Sequence, residues 1–105
     1  MTPIQEIRIV MSNGDVVDAL LHDLGGSFRA DFDYRNKIGQ KFDPHAGPVT
    51  DVQTAFGHMI ATIEGVGAIF QASITSVHNP NNTELLSLSD QVRILGSRDI
   101  TAQVT

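Results

Sequence analysis

One stretch of this sequence repeats its apolar residues with a helical period, and almost everything around it alternates. Between residues 50 and 64, Val52, Ala55, Phe56, Met59, Ile60 and Ile63 follow the i, i+3, i+4, i+7 spacing of a single apolar stripe. Thr50, with Gln53 three residues on, has the form of a capping box, and Asp51 puts negative charge in the first turn. Gly65 supplies a stop. Gly57 lies inside the helix, where glycine costs about 1 kcal/mol relative to alanine. That cost predicts a close approach by something at Gly57.

A lone amphipathic helix needs a surface for its stripe, and the flanking segments read as strands. EIRIVM (6–11) puts Ile7, Ile9 and Met11 on one side. Asn13-Gly14 follows and predicts a hairpin with a type I′ turn, which needs positive φ at both central residues. VVDALLHDL (16–24) reads two ways. Val17, Leu20, Leu21 and Leu24 fit a helix ending at Gly25-Gly26, yet the segment also alternates, and the preceding Asn-Gly favours a strand. SFRADFDYR (27–35) sets Phe28, Ala30, Phe32 and Tyr34 against Arg29, Asp31, Asp33 and Arg35. AIFQASITSV (68–77) alternates cleanly. The tail from Thr83 predicts two or three short strands carrying Leu86, Leu88, Val92, Ile94, Ile100, Ala102 and Val104. Residues 36–49 have no usable period and read as a long loop, the kind of segment that often carries function. The predicted fold class is α+β, with residues 1–105 as a single domain. It is a mainly antiparallel β-sheet of about five to six short strands, with one principal helix (50–64) on one face and a possible second helix at 16–24.

Composition removes several function classes. A chain of 105 residues buries roughly 60–68% of its unfolded surface, enough for a core without staples. A net charge of −5, with seven scattered lysines and arginines, disfavours nucleic acid and anionic membranes as partners. The absence of cysteine excludes disulfides, thiol nucleophiles and thiolate metal sites. No apolar run is long enough to span a bilayer, and no basic start leads into an apolar stretch, so the expected location is the cytoplasm. His22, His45, His58 and His78 match no metal-motif spacing, and neither a metal nor another cofactor is expected. His58 lies off the stripe of its helix, on the solvent side, and His78 is expected to begin a turn.

The candidate ligand-binding residues are Arg29, Asp31, Asp33, Tyr34 and His45. On a strand the first three share a side, about 7 Å between successive members. They offer carboxylates for a cation or for acid–base work and a guanidinium for an anion. A solvated strand face whose charges neutralise one another explains the same pattern. In FDPHAGPVTD (42–51), Pro48 to Asp51 are accounted for as a helix entry, which leaves Asp43 and His45, stiffened by Pro44, to face a cavity or water. No residue pattern supports a catalytic nucleophile.

Only 18% of the residues are charged, so much of the surface is serine, threonine, asparagine, glutamine and glycine, as on domains that pack against their own copies and equally on ordinary loop-rich domains. The expected function is a small non-enzymatic interaction or assembly module with a protein partner, self-associating as a homo-oligomer, most simply a dimer. Accessory, inhibitor and structural subunits, virus-encoded ones among them, have this profile. The alternative is a small-ligand-binding protein or small enzyme, with a pocket between helix 50–64, the sheet and the 36–49 loop.

Overall fold

The computed structural model describes residues 4–35, 41–42, 45–80, 85–98 and 100–104. Strands β1 (Ile4–Met11), β2 (Val16–Asp23) and β3 (Phe28–Arg35) form an antiparallel meander. The far edge of β3 pairs with β5 (His45–Val49) along its first half and with the two-residue β4 (Lys41–Phe42) near its end. Helix α1 (Val52–Ile69) then crosses the sheet to β6 (Ile74–Asn79), which lies antiparallel beside β1. Helix α2 (Leu88–Leu95), a 3-10 turn (Gly96–Arg98) and β7 (Thr101–Val104) follow, and β7 runs parallel to β6. The sheet order is β4-β3-β2-β1-β6-β7, with β5 also on β3. The fold is α+β, with the long helix packed on the sheet.

Strand alternation decides which side chains meet the helix. Ile7, Ile9 and Met11 of β1, Val17, Ala19 and Leu21 of β2, Ala30 and Phe32 of β3 and Val77 of β6 form one buried layer. Ala55, Phe56, Met59, Ile60 and Ile63 of α1 press into it, so the stripe read from the sequence is the contact surface. Leu86 and Leu95 extend the same core beneath α2. Both helices therefore cover one face of the sheet. They are linked to each other through Gln53 Nε2 and Asp90 Oδ2 at 3.5 Å.

Several boundaries differ from the sequence reading, each for a local reason. Residues 16–23 are strand throughout, and the second helix is instead 88–95. The β1–β2 turn is not type I′. Gly14 N donates to Met11 O and Met11 N to Asp15 O, and only Gly14 takes positive φ, at 90°. That is a three-residue loop in which glycine alone bears the left-handed step. Asp51, not Thr50, caps α1 by accepting the Gln53 amide at 3.0 Å, because a carboxylate is the stronger acceptor at the positive helix end. The helix passes Gly65 and runs to Ile69, so the strand expected over 68–77 begins only at Ile74. Nothing lies within 4 Å of a Cβ placed on Gly57. The close approach is at Gly67, where a Cβ would sit 2.7 Å from both Ala72 O and Met11 Cε. Finally, the 36–49 segment carries β4 and β5; residues 36–40, with Asp43 and Pro44, lie outside the described residues.

Candidate functional site

Two polar constellations stand out, one exposed and one buried. The exposed one lies on the face of the sheet that no helix covers. Since Ala30 and Phe32 point into the core, Arg29 and Asp31 between them point the other way. The Asp31 carboxylate is held from two sides. Arg29 Nε donates to Oδ1 at 2.8 Å, and His22 Nε2 of β2 lies 3.1 Å from Oδ2. The second contact is short but does not meet hydrogen-bond geometry, so His22 Nε2 stays buried without such a bond. Farther along the face, Arg8 Nε of β1 donates to Asp18 Oδ1 of β2 at 3.0 Å. Ser76 Oγ and His78 Nε2 of β6 lie 2.9 Å apart. Asp33 is the register partner of Asp18, and His45 of Asp31.

This placement sorts the sequence candidates. Arg29 and Asp31 come together directly, joined by His22, which the sequence offered only as an unassigned histidine. Tyr34 is on β3 opposite Val17 and Phe42, at a position that alternates with the charged ones. His45 is a strand residue beside Asp31, not a loop residue. A pocket between helix and sheet does not include Arg29 or Asp31, because they occupy the opposite face. The helix–sheet gap is filled by Phe56, Met59, Ile60 and Ile63, all fully buried. His58 is exposed, whereas His78 sits within β6 and begins no turn.

The buried constellation was not visible in the sequence. Gln5, Asn79 and Gln91 are almost completely shielded and bind one another. Gln5 Oε1 accepts the Leu85 and Leu86 amides at 2.8 and 2.9 Å, and its Nε2 donates to Asn79 Oδ1 at 2.9 Å and Leu86 O at 3.3 Å. Gln91 Nε2 donates to the same two acceptors, and Asn79 Nδ2 returns a bond to Gln91 Oε1 at 3.0 Å. Three neutral amides thus fasten β1, β6, residues 85–86 and α2 together. Their capacity is spent on the protein itself, and none titrates or attacks as a nucleophile. This is a clasp and not a ligand site.

Among the described residues, no three histidine, aspartate or glutamate side chains gather as metal ligands. Among them, too, no helix is long and apolar enough to cross a membrane. No family model, curated protein or solved structure matches this chain.

Proposed function

We propose that this chain is a non-enzymatic interaction module that works by assembling with copies of itself, in the cytoplasm. The observation that carries the reading is the one-sided placement of the helices. The opposite face of a central strand, β2, leaves Val16 and Leu20 at 43% and 37% exposure. Around them part of the charge is matched within the face, Arg8 with Asp18 and Arg29 with Asp31. A surface with apolar centres and partly neutralised charge repels its own copy less than an unpaired one, and a second sheet laid on it would bury those centres. Light scattering on the eluting protein over a concentration series tests this. A dimer or larger species is expected, reduced to monomer by Val16→Asp with Leu20→Asp at little cost in melting temperature. A wild-type monomer at every concentration would sink the idea.

The Asp31 cluster supports a second reading, a small-ligand site. His22 and Arg29 converge on one carboxylate beside β5, and the arrangement presents both signs of charge to solvent. A thermal-shift screen of small anions, cations and metabolites decides it. Binding to the folded state must raise the melting temperature, and Arg29→Ala should erase any such rise.

A further inference from the structure

The β1–β2 turn holds the one Asn-Gly step in the chain, Asn13-Gly14. Such a step carries its own chemistry. The glycine main-chain nitrogen can attack the asparagine side-chain carbon, because no Cβ on glycine blocks the approach. A ring C–N bond forms as ammonia leaves. Water then opens the cyclic imide to aspartate or isoaspartate. The attack requires a released Gly14 N–H and an Asn13 side chain swung onto it.

The folded turn denies both. Gly14 N donates to Met11 O at 3.0 Å. Asn13 Oδ1 accepts the Asp15 amide at 3.0 Å, and Asn13 Nδ2 donates to Asp15 Oδ2 at 2.9 Å. Asp15 is itself buried. The turn is anchored to the segment after α1, since Ser12 N donates to Ser73 O at 2.7 Å and Ser73 N donates to Ser12 Oγ at 3.0 Å. Cyclisation therefore has to wait for local opening of the hairpin tip.

We propose that Asn13 is a fold-gated deamidation site, with Asp15 as its latch and water as the only co-reactant. The conversion runs one way. An aspartate here sets a carboxylate oxygen where Nδ2 now donates to Asp15, replacing a charge-assisted bond by repulsion. An isoaspartate lengthens the main chain by a methylene inside a tight turn. Either product favours the open hairpin, so a chain that cyclises while open carries a permanent mark of it.

Peptide mapping by mass spectrometry tests the proposal on the full chain. The protein is incubated in mildly alkaline buffer, folded or in urea. In urea Asn13 is expected to convert ahead of Asn36, Asn81 and Asn82, and in the folded chain at least about tenfold more slowly than in urea. Asp15→Ala should speed folded-state conversion by about tenfold, the effect of losing one charge-assisted hydrogen bond. Asp15→Asn, which keeps an acceptor, should speed it less, and melting curves verify that both variants are folded. Asn13→Asp should lower the melting temperature, and adding Asp15→Asn should restore part of the loss. Equal rates in folded and unfolded chains would overturn the gate. A folded Asp15→Ala variant no faster than wild type would remove Asp15 as the latch. An Asn13→Asp variant melting with wild type would remove the one-way step.

Discussion

The two faces of the sheet are made from neighbouring residues of the same strands, and they are held by different forces. On the helix side, Ile7, Val17, Ala30 and Val77 are sealed beneath α1 and α2, and even the polar residues there, Gln5, Asn79 and Gln91, have exchanged water for one another. On the open side, Arg8, Asp18, Arg29 and Asp31 pair at hydrogen-bonding distance while remaining substantially exposed. Equally short contacts carry unequal weight. In water the attraction between two charges is screened and their side chains lose entropy on pairing, whereas a buried group without a partner has nothing to replace it.

Substitutions on each face should separate sharply. The largest effect is expected from Phe56→Ala, a cavity at the centre of the covered face, costing about 3–5 kcal/mol in chemical denaturation. Gln91→Ala removes one member of the clasp, taking from Asn79 Nδ2 its Gln91 acceptor and from Leu86 O one of its two side-chain donors, for about 1–3 kcal/mol. Gly67→Ala should cost about 1–3 kcal/mol, because its Cβ meets the Ala72 carbonyl, a backbone atom that gives little. Gly57→Ala, whose Cβ would have nothing within 4 Å, should instead stabilise by up to about 1 kcal/mol. The smallest effect belongs to the open face: Arg8→Ala within about 1 kcal/mol of wild type. If Arg8→Ala cost as much as Gln91→Ala, the open face would have to be covered in solution, which ties this measurement to the assembly reading.

The helix exit adds a further point of contrast. Gln71 takes φ of +56°, the left-handed region where a side chain is strained, just after the helix carbonyls of Gly67 and Ala68 accept their last amides. Gln71 is exposed, so Gln71→Gly relieves the strain without emptying the core, and a gain of up to about 1 kcal/mol in thermal unfolding is expected.

Period was the most legible signal. Of the α1 stripe and the alternating positions of β1 and β3, Ala55, Phe56, Met59, Ile60, Ile63, Ile7, Ile9, Met11, Ala30 and Phe32 are buried, and Val52 and Phe28 pack partly buried against the same core, because a helix or strand places side chains by local geometry alone. The tail shows where that signal fails. The apolar positions there suggest short strands, yet 88–95 is a helix in which Val92 is half exposed and the polar Gln91 next to it is inside. The helix that does this is short, and its inward face is selected by Asn79, 12 positions away, whose Oδ1 is shared with Gln5 of β1. The candidate site divides in the same manner. That Arg29 and Asp31 share a face followed from their spacing, but that His22 completes the cluster depended on the β2–β3 register, which sets His22 opposite Arg29.

By itself the sequence determined what is local: which segments alternate, which one coils, where a turn needs glycine, and which chemistries have no residues to perform them. Tertiary structure alone decided the rest. It chose the capping residue among adjacent candidates, moved the glycine that matters from Gly57 to Gly67, and turned Arg29 and Asp31 away from the helix. It also joined Gln5 to Asn79 and Gln91. The physical reason is range. Propensity and period act over a few residues of chain, whereas burial and hydrogen-bond satisfaction are settled by whatever the fold brings alongside.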